Sequence, residues 1–139
     1  MGMNLSRFNP FETGTDDSAQ LPSVREMTYV KSVETKFLEL ITEAHKMGSI
    51  YVGRADVIDA LNNGIRGLVF FDGETPYSSN IPVTQLCMDK RILYHVFASG
   101  KDMKDIIQSD CSVVMVKAIS EYYPLYDLCR VGLDILRDY

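Results

Sequence analysis

The residues best suited to contact a ligand lie in a glycine-led segment, residues 51–61, which joins a predicted strand to a predicted helix. Gly53 lets the backbone approach a ligand closely and exposes the amides at the helix N-terminus. Arg54 can contact phosphate, and Asp56 complements the positive end of the helix dipole. The segment is therefore a candidate seat for a nucleic-acid backbone. A tight turn alone also explains the glycine, and composition favours that simpler interpretation.

No catalytic arrangement is recognisable in the sequence. It contains no Gly-x-Ser-x-Gly elbow, no phosphate-binding Walker loop and no Gly-x-Gly-x-x-Gly fingerprint. Asp56 and Asp59 could form an acid pair on one side of a helix, but solvated helix acids are far more common. His45 and His95 have no metal-ligand spacing with the cysteines. We therefore expect no enzymatic activity, no metal ion and no cofactor.

The cysteines argue for a reducing environment. Cys87, Cys111 and Cys129 are widely separated and odd in number, and no Cys-x-x-Cys motif occurs. We interpret them as reduced, buried thiols of an intracellular protein.

The totals describe one acidic globular domain. The chain has 139 residues, 46% hydrophobic and 24% charged, with a net charge of −5. A chain of this length can bury a core without disulfides or metal. The acidic balance weighs against a protein that depends mainly on phosphate contacts, because that affinity comes from clustered Lys and Arg. No apolar run has transmembrane length and no secretory signal is visible, so no membrane partner is expected.

The chain divides into a predicted flexible arm, residues 1–28, and a single α/β domain, residues 29–139. The arm contains prolines, glycines and an acidic pair without a sustained period. Phe8, Phe11 and Leu21 are its candidate docking anchors.

Helical and strand patterns then alternate along the domain. The apolar stripe of the first helix comprises Val33, Phe37, Leu40, Ile41 and Ala44. Residues 67–71 are nearly all apolar, which predicts a strand buried on both faces. Asn80 is predicted to cap the third helix, and Ser99 with Asp102 to form a capping box at the fourth. Short helices between strands predict a three-layer α-β-α sandwich around a four-stranded mixed sheet.

Three tyrosines near the last predicted helix could stack on bases: Tyr122, Tyr123 and Tyr126. Their helical spacing beside Leu125 places at least one of them in the core instead.

Two groups of residues carry a resemblance to a known family. The first comprises Gly53, Asn63, Gly64, residues 67–69, Pro76, Leu86, Cys87, Asp89, Tyr94 and Ser99. The second comprises residues 111–117, Glu121, Tyr122, Tyr126, Asp127 and Cys129. Over residues 33–137 the chain resembles the L-seven-Ae/L-thirty-e superfamily of RNA-binding ribosomal proteins, which grip kink-turn RNA. The second group is the more specific one, and it resembles core subunit two of H/ACA ribonucleoproteins, the Nhp-two type.

The sequence departs from this family at the RNA-reading turn, which typically reads Gly-x-Asn-Glu-x-x-Lys. Ala55 stands at the Asn position, Asp56 at the Glu position and Asp59 at the Lys position. The last change reverses the charge that faces phosphate, so kink-turn binding is expected to be weak or absent.

The resemblance implies RNA contacts at Gly53, Arg54, Asp56 and Lys101, although Lys101 lies one place beyond the aligned family lysine. It also implies a non-catalytic nucleolar subunit that supports RNA-guided pseudouridylation and rRNA processing. Its partners would be guide RNA, a pseudouridine synthase and small core subunits. Two alternatives stay open: a small-subunit ribosomal protein of the S-twelve type on the cytoplasmic ribosome, or a protein-interaction scaffold that has lost RNA binding.

Overall fold

Alternating helical and strand patterns fold into five helices and four strands in a computed structural model, which describes residues 22–137. The helices are α1 Pro22–Lys46, α2 Arg54–Asn62, α3 Tyr77–Lys90, α4 Lys101–Ile107 and α5 Tyr123–Leu136. The strands are β1 Ile50–Val52, β2 Gly67–Asp72, β3 Tyr94–Phe97 and β4 Val113–Lys117. A short 3₁₀ turn, Ser120–Tyr122, precedes α5.

The four strands form one mixed sheet in the order β1-β4-β2-β3. Strand β4 is antiparallel to β1 and to β2, whereas β2 and β3 are parallel. The carboxyl ends of β1, β2 and β3 therefore meet the start of β4 at one end of the sheet. We call this the Gly53 end, and we call the opposite end, where β2 begins and β4 finishes, the Arg66 end.

Helices cover both faces of the sheet, as the three-layer α-β-α prediction requires. Helices α1, α4 and α5 pack on one face and α2 and α3 on the other, each over its own apolar cluster. Side chains alternate between the two faces of β4, so this strand contributes to both clusters. Val114 and Val116 face α1, whereas Val113 and Met115 face α2. Strand β2 is buried along its whole length, which confirms the prediction from its apolar run.

The first helix begins earlier than the apolar stripe indicates. Helix α1 starts at Pro22, so it extends into the segment predicted as an arm of residues 1–28. Proline fits the first helical turn because its missing N–H has no intrahelical partner there. Residues 1–21, with the candidate anchors Phe8, Phe11 and Leu21, lie outside the described residues.

Two predicted helix caps are wrong. Helix α3 starts at Tyr77, directly after Pro76, so Asn80 lies inside the helix and is only 6% exposed. Pro76 has φ −52° and ψ 133°, and its ring fixes that entry to the helix one turn earlier than expected. At α4, Gly100 precedes the first helical residue and donates its N–H to Asp72 Oδ1 at 2.9 Å. The capping box of Ser99 with Asp102 does not form, and the carboxylate at this helix start is supplied by Asp72 from the end of β2.

The end of β4 is tied to the turn before α5 by a tyrosine hydroxyl. Tyr122 is buried and its hydroxyl donates to the backbone oxygen of Lys117. Replacing Tyr122 by phenylalanine should lower the free energy of unfolding by about 1 kcal/mol. The reason is that the Lys117 oxygen loses its side-chain donor. Urea unfolding near neutral pH measures this loss, and Tyr123→Phe, at a half-exposed position, is the matched control.

The same tyrosine adds a dependence on alkaline pH. Burial raises the pKa of Tyr122 to about 12. Its contribution to stability is therefore present below the unfolded pKa, about 10, and is lost as pH rises through the folded value. The phenylalanine variant should lack this alkaline loss. Unchanged stability of the variant at neutral pH would show that the hydroxyl does not hold this turn.

Candidate RNA interface

The turn at Gly53 joins β1 to α2 in a backbone conformation that only glycine adopts readily. Gly53 has φ 92° and ψ 159°. Its N–H donates to Val113 O at 2.9 Å and its carbonyl accepts the N–H of Val57 at 3.0 Å. A Cβ at this position would meet no heavy atom within 4 Å. The glycine is thus required by the backbone, and the space above it is open to a ligand.

Arg54 is exposed, yet its guanidinium already has a partner. Its Nη1 donates to the backbone oxygen of Ser79 at 2.8 Å and so links α2 to α3. Its remaining donors can still reach a phosphate. The sequence predicted where Arg54 lies but not this contact, which depends on how α2 packs against α3.

The three positions that depart from the family turn all lie on the surface. Ala55, Asp56 and Asp59 are exposed along α2. Asp56 occupies the first turn of the helix, where its carboxylate complements the helix dipole. An RNA that approached the open side of Gly53 would meet the methyl group of Ala55 and the carboxylate of Asp59 where the family motif has an amide and an ammonium group.

Lys101 opens α4 at the Gly53 end of the sheet. Its Nζ lies 2.8 Å from Asp105 Oδ2, and this hydrogen bond raises the pKa of Lys101. Among the described residues no hydrogen bond or ion pair joins Lys101 to the Gly53 turn. The fold thus brings Lys101 to the same end as Gly53, Arg54 and Asp56 without placing them in direct contact.

A buried aspartate organises the loops at this end, and sequence reasoning missed it. Asp72 is 2% exposed and accepts the N–H groups of Gly100 and Glu74, each at 2.9 Å. Lys104 Nζ lies 2.8 Å from its second oxygen and 3.1 Å from Asp110. Burial raises the pKa of Asp72, but the hydrogen bonds and the charge of Lys104 outweigh it and lower the pKa below its usual value. An acid that ends an otherwise apolar strand was the available signal.

The Gly53 end of the sheet carries a net negative charge. Its cations Arg54, Lys101 and Lys104 are each engaged in the contacts above. Six carboxylates accompany them: Asp56, Asp72, Glu74, Asp102, Asp105 and Asp110. Phosphate affinity requires cations that are free to replace counterions. The electrostatics of this end therefore disfavour RNA even though its backbone geometry suits it.

Apart from Tyr123, the remaining candidate groups belong to the core. Tyr122 and Tyr126 are buried, while Tyr123 is half exposed and stacks on Tyr126 with ring centroids 6.1 Å apart. All three cysteines are free and buried. Burial raises the pKa of Cys87 and of Cys129 to about 12, so these thiols are unreactive near neutral pH.

No group of three or more His, Cys, Asp or Glu side chains among residues 22–137 could hold a metal ion. In the same part of the chain, none of the helices combines the length and apolar character that a membrane crossing requires.

Solved structures share this architecture. The chain is similar to a Giardia lamblia 15.5kD RNA binding protein, with a TM-score of 0.65 and 15% identity over 76% of this chain and 88% of that one. It is also similar to a Bacillus halodurans protein of unknown function, with a TM-score of 0.59 and 18% identity over 70% of this chain and 95% of the other. These likenesses show a shared fold. No protein-family model matches the sequence, and no curated protein matches it in sequence.

Proposed function

We propose that this protein is a non-catalytic subunit of a ribonucleoprotein, built on a fold that an RNA-binding protein of Giardia also has. The observation that carries the proposal is the Gly53 turn. Its backbone keeps the glycine-only conformation with open space beside it, although the side chains around it no longer suit RNA. A backbone seat with substituted side chains fits a scaffold whose RNA contacts have weakened. It offers no nucleophile, base or metal for an enzyme.

The finer proposal is a divergent H/ACA subunit that helps to place guide RNA for a partner pseudouridine synthase in the nucleolus. Its support is the resemblance of residues 111–117 and of Tyr126, Asp127 and Cys129 to that subunit. In this family the subunit is held largely by protein contacts. A member docked in that way tolerates an alanine at position 55 and a carboxylate at position 59.

Restoring the family residues should restore kink-turn binding. Ala55→Asn with Asp59→Lys adds an amide and reverses one charge at two exposed positions, so the fold should be unaffected. We expect the double variant to bind a kink-turn RNA at least about tenfold more tightly than the wild type, a gain of about 1.4 kcal/mol. Fluorescence anisotropy with a labelled kink-turn hairpin measures this gain.

A charge-matched control separates recognition from bulk charge. Glu39→Lys makes the same charge reversal on the exposed side of α1, and Ala55→Asn is then added to it. A gain of equal size from the two double variants would show that the lysine acts through net charge alone. In that case position 59 would have no specific role in binding the RNA.

Two alternative functions rest on particular observations. Position 55 is Ala and not the Asn of the family motif, and the S-twelve ribosomal type lacks that Asn as well. A small-subunit ribosomal protein is therefore the second candidate. The six carboxylates of the Gly53 end favour the third, a protein-interaction scaffold without RNA. Sedimentation of cell extract distinguishes these two hypotheses, because a ribosomal protein co-sediments with small ribosomal subunits and a scaffold does not.

A further inference from the structure

Unpaired positive charge is concentrated at the Arg66 end of the sheet, away from the turn assigned to RNA. Among residues 28–137, the lysines and arginines that make no ion pair with a carboxylate are Lys31, Arg54, Arg66, Lys90, Arg91 and Lys117. Four of these six belong to the Arg66 end. We call Arg66, Lys90, Arg91 and Lys117 the basic patch.

Backbone contacts hold the members of the basic patch together. Arg66 Nη1 donates to the backbone oxygen of Lys90 at 2.7 Å, and its Nη2 donates to that of Arg91 at 3.2 Å. Lys117 pairs in the sheet with Gly67, the residue after Arg66. The carbonyl of Arg66 in turn accepts the N–H of Ala118 at 3.2 Å. The end of α3, the start of β2 and the end of β4 therefore present four cations on one surface.

The surroundings of the basic patch leave it a net positive charge. Asp89, beside Lys90, and Glu121, four residues after Lys117, are exposed carboxylates without an ion pair, and the four cations outnumber them. Asp127 is occupied by Arg130, whose Nη2 lies 2.9 Å from its carboxylate. At the Gly53 end, by contrast, Lys101 and Lys104 are neutralised by carboxylates, and of its three cations Arg54 alone makes no ion pair. In a chain with a net charge of −5, this separation leaves one surface able to replace the counterions of a polyanion.

We propose that the basic patch binds the phosphate backbone of single-stranded RNA without reading its sequence. The inference rests on the proposed ribonucleoprotein function and moves the RNA contact to the opposite end of the sheet. Two of the four cations are arginines, whose planar guanidinium groups match phosphate oxygens. Arg91 also lines a pocket with Leu93, Tyr94 and Leu133, and the other three cations of the patch are not among the residues that line it.

The test uses a fluorescein-labelled uridine 20-mer, which cannot fold into a kink-turn, and measures anisotropy over a range of salt concentrations. Four phosphate contacts on a single strand predict a slope of log affinity against log salt of about −2.8. Arg91→Gln with Lys117→Gln should halve that slope to about −1.4 and weaken binding about 25-fold at 0.1 M salt. Arg66 is left in place because its guanidinium also supports the end of α3.

The matched control is Lys31→Gln with Lys36→Gln on α1, which removes the same charge from a surface outside the basic patch. The control should keep the wild-type slope. Equal losses from both double variants, or no binding by the wild type at 0.05 M salt, would overturn the inference. So would tighter binding of a polyglutamate of equal charge, since it would identify an acidic protein as the partner.

The same probe separates this inference from the proposed turn. Gly53→Glu should leave binding of the uridine 20-mer within twofold of the wild type. If Gly53→Glu abolishes that binding and Arg91→Gln with Lys117→Gln does not, the RNA site is the turn and the basic patch is not involved. If neither variant changes it, both sites are wrong.

Discussion

Replacing Asp72 by asparagine should destabilise the protein by about 3 kcal/mol and release the start of α4 from the sheet. The carboxylate is 2% exposed and receives hydrogen bonds from Gly100, Glu74 and Lys104. An amide can accept from fewer of these donors and carries no charge for Lys104. Lys104 keeps Asp110 as a partner, so the cost falls at the lower end of the range for broken buried pairs.

Acid pH should reveal the same contact. The folded pKa of Asp72 lies below its unfolded value, about 3.9. Its contribution is therefore present above the unfolded pKa and is lost as pH falls through the folded pKa. Urea unfolding between about pH 3 and pH 7 should show a smaller acid loss in Asp72→Asn than in the wild type. Asp105→Asn, at an exposed position, is the control and should change stability little. A cost below about 1 kcal/mol for Asp72→Asn would contradict this role.

Adding Gly53→Glu to the Ala55→Asn, Asp59→Lys double variant should weaken its binding of kink-turn RNA about 100-fold. The new carboxylate would enter the open space beside the turn, where a phosphate would otherwise lie. Repulsion between this carboxylate and an RNA phosphate in a partly hydrated site is worth about 2.7 kcal/mol or more, which corresponds to the 100-fold loss. The restored background is necessary because wild-type binding is expected to be weak.

The backbone effect of this change needs its own control. Any L residue at φ 92° and ψ 159° is strained, at a cost of about 1–3 kcal/mol to folding. Gly53→Ala carries that strain without the charge, so the difference between the two variants isolates repulsion. Thermal unfolding checks that both remain folded. If Gly53→Ala and Gly53→Glu bind the kink-turn RNA equally, RNA does not approach the open side of the turn.

Local patterns predicted the elements and the layers of this fold, because the apolar periods are strong. The continuous apolar run of β2 and the stripe of α1 both mark residues that the structure buries. The start of α1 and the cap of α3 escaped, since Pro22 and Pro76 permit helices to begin without an apolar signal. No local pattern in the sequence specifies the strand order β1-β4-β2-β3.

The position of the Gly53 turn follows from the sequence, whereas its contacts do not. Gly53 stands where the strand-to-helix junction indicated, and its backbone angles explain the residue type. The bond between Asp72 and Gly100 joins residues 28 apart in sequence, and that of Arg54 with Ser79 joins residues 25 apart. Such contacts depend on strand order and on helix packing, which no local pattern encodes. The basic patch escaped for the same reason, since Arg66, Lys90 and Lys117 are distant along the chain.

The most direct test of the ribonucleoprotein proposal is a tagged purification from the source cells, with bound proteins and RNAs identified together. We expect a pseudouridine synthase and H/ACA guide RNAs to co-purify with the full chain, and with Gly53→Glu as well if protein contacts hold the subunit. Co-purification of small ribosomal subunits instead would support the S-twelve alternative. Recovery of unrelated proteins without any RNA would contradict the proposal and identify a protein-interaction scaffold that no longer binds RNA.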